Sequence, residues 1–340
     1  MANSNEEILQ VISLFRHGAR NTFMNLDTHE RYSADLCDDK IINTINKGRH
    51  FVNKYFNAFS PSPFNDNDIK CFFSYTTRTI KTLIYRFSDF LPKDDFKSMS
   101  QEELKEFAIK NFPNAKFEAS MFKYDVSVAC KYYSLDPDYS KLLNELEKEI
   151  GQQSQAALEL YKKYTHKPEG ARGHMDNYMI TFIYDFLFNV KPEVQKTFTN
   201  EQLIIKDVMG KLKANKRMMD INLSNPNSLK CNVKGILECF YKEMTKIKEN
   251  AEDKKKIIII SGHDINLACL IGFLETDKSK YYYNFDDEIN CIVFKKPNDE
   301  KLYVKFEYND ELIDIPFSTS DNKNECELDA LLNKIKNEYL

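Results

Sequence analysis

The sequence predicts an α/β protein carrying a helical insertion or cap, and three observations carry that prediction. Val11-Ile12-Ser13-Leu14-Phe15 is an apolar, partly β-branched run that opens into Arg16-His17-Gly18-Ala19-Arg20, the pattern of a buried strand ending in a glycine turn. Ile257-Ile258-Ile259-Ile260-Ser261-Gly262-His263-Asp264 repeats the pattern far along the chain and leads into an apolar-periodic helix, Ile265 to Leu274. Between them, from Asp136-Pro137 to about residue 249, the texture is almost entirely helical.

Taken in order, the next element after the first strand is a helix. Ile41, Ile42, Ile45, Val52, Tyr55, Phe56 and Phe59 follow helical spacing, interrupted by Gly48, and the pattern stops before the Pro61/Pro63 loop. Ile69 to Ser74 reads as a strand leading into Thr76-Thr77-Arg78-Thr79. Ile80, Leu83, Ile84, Phe87 and Phe90 then read as a helix stopped by Pro92. Ser100 and Glu103 form a capping box for a helix ending near Phe112-Pro113. Residues 118–129 read as extended. The helical stretch contains Leu142 to Leu158, Met179 to Leu187 and a last helix from Asn227 to Asn250. After the Ile257–Ile260 strand, Cys291-Ile292-Val293-Phe294 and Leu302-Tyr303-Val304-Lys305-Phe306 flank Pro297-Asn298-Asp299 as an antiparallel hairpin. A final helix is expected from Glu325 to Tyr339. The resulting division is an α/β core of residues 1–130 and 225–340 and a cap of residues 131–224.

Composition narrows the function. Hydrophobic residues are 42% and charged residues 29%, as in ordinary globular proteins, and 340 residues suffice for one large domain with an insertion. The net charge of −4 with no basic tract argues against a nucleic-acid surface. No run approaches the roughly 18 apolar residues of a membrane span. The polar start, Met1 to Glu7, is no signal peptide, so either the chain is cytoplasmic or the form shown has lost one. Eight cysteines contain no Cys-x-x-Cys. His29, His50, His166 and His174 lack metal-ligand spacing, so neither metal nor cofactor is expected.

The chemistry sits at the two strand ends. Desolvating two arginines and a histidine at a strand mouth is costly unless an anion compensates. A phosphate would serve: Arg16 and Arg20 can each offer a planar fork of donors, and His17 a ring nitrogen as nucleophile. In open α/β sheets the ligand crevice lies outside the carboxyl ends of the strands, which gathers His17 and His263 in one place. Arg78, in a first helical turn after a strand, sits where free backbone donors and the helix dipole favour an anion. Asp264 has two readings, helix N-cap and proton donor. Phe23, three residues past Arg20, is either a loop anchor or a contact at the pocket rim.

Arg-His-Gly-Ala-Arg with a distant His-Asp resembles the histidine acid phosphatases, a branch of the phosphoglycerate-mutase-like superfamily. The resemblance implies a three-layer core with a mixed, mostly parallel central sheet and a smaller helical cap. It implies a phosphate monoester held by Arg16, Arg20, Arg78 and His263, a phosphohistidine on His17, and Asp264 protonating the leaving group. The family's usual proline two residues beyond the second arginine is Thr22 here, which bears on loop rigidity. The contexts of Cys130 and Cys326 resemble positions that secreted members bridge; with the sequon Asn222-Leu223-Ser224 that would imply a secreted or lysosomal/vacuolar protein. A phytase-like phosphatase of the same family is an alternative reading. So is a non-catalytic phosphoryl-binding or structural descendant of the fold. The Leu302–Phe306 hairpin edge could pair between subunits in a homodimer.

Overall fold

The strand that carries His17 lies at the middle of the sheet, because its sequence can be buried on both faces. In β1 (Glu7–Arg16), Val11, Ile12, Leu14 and Phe15 are at most 1% exposed, each such side chain contributing about 1.5–3 kcal/mol of burial. The chain is described here from a computed structural model at residues 6–19, 36, 40–56, 59, 68–92, 96, 98–112, 114–122, 223, 226–281, 283–318 and 322–340. It divides into two compact units, one of Met1–Gly18, Ile41–Asp125 and Leu229–Leu340, the other of Ala19–Lys40 and Val126–Ser228. Nearly all described residues belong to the first. The expected cap, residues 131–224, lies almost wholly outside the described residues.

Eight strands among the described residues form one mixed sheet. β2 (Ile69–Phe73), β3 (Lys116–Phe117) and β4 (Ile257–Gly262) join β1 in the order β3-β2-β4-β1, all parallel. Beyond β1 the pairing turns antiparallel through β5 (Glu288–Lys295), β6 (Leu302–Tyr308) and β7 (Glu311–Leu312), while β8 (Glu325–Glu327) also pairs with β6. The β1–β4 register sets Arg16 opposite Gly262, so both histidine turns leave the sheet at the same edge. The β5–β6 hairpin turns with Asn298 at φ 59°, a backbone region Asn tolerates.

Six α-helices occur among the described residues: α1 (Ile41–Phe51), α2 (Thr77–Arg86), α3 (Gln101–Asn111), α4 (Pro226–Lys248), α5 (Asp264–Phe273) and α6 (Leu328–Lys334). α2 packs on β2 and β4, with α1 and α3 against it; α5 packs on β1 and α6 on β6. α5 is buried from Asn266 through Phe273, as its all-round apolar sequence requires. Gly48 permits the closest approach: a Cβ there would stand 1.8 Å from the Arg86 carbonyl oxygen, so α1 can cross the end of α2 only with glycine at that point. At α3 the capping box forms, with Ser100 Oγ accepting from Glu103 N at 3.3 Å and Glu103 Oε2 from Ser100 N at 2.7 Å.

Several expectations are corrected. α1 gives way at Val52 to one π turn, Val52–Phe56, and α2 stops at Arg86, before a 3-10 turn over Ser88–Phe90. Residues Ala119–Phe122 form a 3-10 turn rather than an extended segment, and 123–129 lie outside the described residues. Glu325–Glu327 is a strand, since its alternation of charged and apolar side chains suits an edge, and the last helix starts only at Leu328. The Leu302–Phe306 edge is not free to pair between subunits: Tyr303, Val304 and Lys305 are taken by β8. Cys326 is a free thiol on β8, wholly buried, and burial pushes it up to about 12. Its expected partner, Cys130, lies outside the described residues. No helix among the described residues is long and apolar enough to cross a membrane.

Candidate active site

His17 leaves the end of β1 with its ring fixed in one tautomer. Its Nδ1 lies 2.9 Å from the Gly18 carbonyl oxygen, which can only accept, so the hydrogen is on Nδ1 and the lone pair on Nε2. The residue is 4% exposed. Burial, and after it the positive charges of Arg16, Arg78 and His263, hold the imidazole well below the ordinary histidine value; the Gly18 bond opposes this only in part. A neutral, desolvated imidazole with a free Nε2 is a nucleophile at acidic pH.

Gly18 is bound from two sides. Its N–H donates to Thr82 Oγ1 at 2.8 Å, and that hydroxyl donates to the Arg78 carbonyl at 2.7 Å, tying the histidine turn to α2. A Cβ at Gly18 would come within 2.5 Å of Thr44 Oγ1 and 3.3 Å of Asp286 Oδ2, so the turn has room only for glycine.

Arg16 is 8% exposed and held by its ends. Nη1 donates to the Tyr283 carbonyl at 2.7 Å, Nη2 meets Asp264 Oδ2 at 3.2 Å, and the guanidinium carbon lies 4.1 Å from the centre of the Phe285 ring. Its buried Nε has no hydrogen-bond partner among the described residues. Arg78, half-buried in the first turn of α2, is close enough to His17 to depress it.

His263 faces His17 edge-on, with ring centroids 5.5 Å apart and planes at 74°. It is the N-cap of α5, its N–H donating to Asn266 Oδ1 at 2.9 Å. Asp264 is thus the first helical residue and not the cap; its Oδ1 accepts from Ile265 N at 2.8 Å, and its side chain is 44% exposed. His263 Nε2 stands 2.8 Å from Ser74 Oγ, which lies 2.9 Å from Thr79 Oγ1. Thr79 spends its hydrogen on the Ser74 and Thr76 carbonyls at 2.8 and 2.9 Å. In this network, which Thr76 Oγ1 joins at 2.9 Å from Thr79 Oγ1, Ser74 can donate to Thr79 and accept a hydrogen from His263 Nε2.

No family model matches the chain, and no curated protein matches it. Solved structures do. The phytase from Citrobacter braakii is 14% identical over 98% of each chain, at a TM-score of 0.65. Apo Hafnia alvei phytase is 14% identical over 100% of this chain and 98% of its own, at 0.66. The Bifidobacterium longum multiple inositol polyphosphate phosphatase, in complex with inositol hexasulfate, is 9% identical over 99% and 92%, also at 0.66. This chain has the phytase fold. The likeness is one of backbone, and it agrees with the mixed, mostly parallel central sheet that the Arg-His-Gly-Ala-Arg resemblance implied.

Within this phytase fold, Arg16, His17, Arg78, His263 and Asp264 gather at one edge of the sheet; Arg20 and Phe23 lie outside the described residues. Sequence reasoning missed the segment from Tyr283 to Glu288, which supplies the Arg16 acceptor, the Phe285 ring and the Asp286 carboxyl. Three consecutive acids, Asp286-Asp287-Glu288, at the mouth of an apolar strand were a readable signal. It also missed Ser74 and Thr79. Beneath the site Arg86 and Glu288, both 1% exposed, pair at 2.6 Å, and Arg86 Nη2 donates to the Asp286 carbonyl at 3.1 Å. Among the described residues no cluster of His, Cys, Asp or Glu offers a metal site.

Proposed function

We propose that this chain is a phosphatase that hydrolyses phosphate monoesters through a phosphohistidine on His17. The observation that carries the reading is the His17 ring itself: hydrogen on Nδ1 toward Gly18, lone pair on Nε2, and cations arrayed around it. Arg16 and Arg78, with Arg20 from the following segment, would bind the phosphoryl oxygens, and residues 131–224 would form a helical cap. His17 Nε2 attacks phosphorus in line; the ester P–O bond breaks, and the departing oxygen takes its electron pair and a proton from Asp264. Water then attacks phosphorus and gives a proton to the Asp264 carboxylate. The P–N bond breaks, returning its electrons to Nε2 and releasing inorganic phosphate.

Before substrate enters, Asp264 Oδ2 is occupied by Arg16 Nη2. A phosphate competing for that guanidinium would free the carboxyl to meet the leaving oxygen, so binding and acid catalysis are coupled through one contact. The cations stabilise charge in the transition state as well as in the ground state. Because structural neighbours were solved with inositol sulfates, an inositol polyphosphate is the first physiological class to try.

The test is hydrolysis of an aryl phosphate and of inositol hexakisphosphate across pH 4 to 8, with a chelator present, for wild type and His17→Ala. Expected are chelator-resistant activity highest on the acidic side, its loss in the variant, and an acid-labile phosphorylated wild-type enzyme on quenching. Folded wild-type protein that binds vanadate and turns over neither ester would instead favour a phosphoryl-binding descendant.

A further inference from the structure

The turn Tyr283 to Asp287 touches the nucleophile's segment at four of its five residues. The Tyr283 carbonyl takes Arg16 Nη1, Asp286 N donates to the His17 carbonyl at 3.3 Å, and the Asp287 carbonyl accepts from Arg16 N at 2.9 Å. The half-buried Phe285 ring lies 5.6 Å from the His17 ring centre, tilted 41°, and under the Arg16 guanidinium. Tyr283 and Asp286 hold positive φ, 53° and 61°, a conformation that is costly for non-glycine residues and persists only where the surroundings enforce it. Here they do. Arg86 fixes the Asp286 carbonyl, Asn309 Nδ2 donates to Asp287 Oδ1 at 2.7 Å, and Asn284 N and Tyr308 OH donate to Asp287 Oδ2.

We propose that Phe285 is a positioning residue for phosphoryl transfer: its ring sets the plane of the Arg16 guanidinium for two-point contact with a phosphate and keeps water off His17. With Nη1 held by Tyr283 and one face held by Phe285, the guanidinium can neither swing nor tilt. The edge left is Nε–Nη2, which matches two oxygens of one phosphoryl group. Asp264, 3.2 Å from Nη2, is the group displaced. The inference rests on the reading of His17 as nucleophile.

Three variants separate the two effects. Phe285→Leu keeps an apolar cover but removes the π face, so vanadate should bind about 10-fold more weakly, the scale of a partly desolvated cation–π contact. In Phe285→Leu the titration of His17, followed by NMR of ring-labelled protein and assigned with His17→Ala, should stay in place. Phe285→Ala removes the cover as well. Vanadate affinity should fall at least as far, and the His17 midpoint should climb toward the ordinary histidine value, carrying the acid limb of kcat/KM upward with it. The other charged or titratable groups at this site, Arg16 on β1, Arg78 on α2, His263 and Asp264 at the start of α5 and Asp286 in the turn itself, are unchanged in both variants. Phe285→Tyr should restore both properties.

Unaltered vanadate affinity and an unaltered His17 midpoint in Phe285→Ala, with only a lower melting temperature, would overturn the proposal and reduce Phe285 to packing. Binding and titration are both read without turnover. A wild type that hydrolyses no ester would therefore sink the proposed activity while leaving these two measurements to decide the role of Phe285.

Discussion

Arg86→Met should be among the most damaging single substitutions in the core, and Glu288→Leu should be partly rescued by it. The two side chains are each 1% exposed and meet at 2.6 Å. Removing one partner leaves an uncompensated buried charge, which costs about 3–5 kcal/mol. Removing both takes away the pair's own charges and leaves the neighbouring buried Asp286 carboxyl, which Arg86 also supports, with its Thr44 hydrogen bond. What remains unsatisfied is then the Asp286 carbonyl, which loses Arg86 Nη2, and Asn290 Nδ2, which loses Glu288 Oε1 at 3.2 Å. Unsatisfied neutral groups cost about 1–3 kcal/mol apiece, and Leu and Met recover part of that by packing against Phe15, whose ring lies 4.0 Å from the Arg86 guanidinium carbon. The double variant should therefore be no less stable than either single one, and the coupling energy should be about 3 kcal/mol or more. Urea denaturation followed by circular dichroism, run on all four proteins, measures it. Additive losses, with the double variant the least stable of the four, would refute the claim that the pair acts as one unit.

Three further outcomes are expected. Gly48→Ala should destabilise by about 1–3 kcal/mol or more, because the clash with the Arg86 carbonyl oxygen outweighs the roughly 1 kcal/mol of helix propensity that alanine adds; a melting temperature above wild type would contradict the geometry. Ser74→Ala removes the partner of His263 and should lower kcat/KM for an aryl phosphate about 3- to 10-fold, the worth of one hydrogen bond, while leaving phosphohistidine formation detectable; no change would mean that His263 is oriented by its helix cap alone. Because burial and three cations keep His17 unprotonated, wild-type activity should persist well below pH 6.5 and fall only as the pH drops through the depressed His17 value; loss of activity already near pH 6.5 would contradict the desolvated environment.

The strands and helices that hold the site were legible because burial writes itself into sequence. Val11–Phe15 and Ile257–Ile260 could be nothing but core, and the capping pair Ser100 and Glu103 marked its helix start. Arg16, His17, Arg78, His263 and Asp264 were readable as cations and acids at strand ends. The turn from Tyr283 to Asp287 offered only its acids, Asp286 and Asp287, as a sign; the rest of its work is done by backbone groups and by non-glycine residues at positive φ, which leave no mark in residue type. Arg86 gave a half-signal: it continues the apolar face of Ile80, Leu83, Ile84 and Phe87, where a cation needs a buried partner, but nothing local says that the partner is Glu288. The β8 strand hid because Glu325-Cys326-Glu327 looks equally like the start of a helix.

The sheet order has a consequence for how this protein must be made. β1 is the first described strand, yet its two neighbours, β4 and β5, lie at 257–262 and 288–295. On the ribosome one edge of the strand that leads to His17 must wait for nearly 250 residues and the other for nearly 280, roughly a quarter of a minute to a minute at ordinary elongation rates. Until β4 arrives an apolar strand with two open edges needs cover from a chaperone or from transient contacts, and truncated chains ending before β4 would present it permanently.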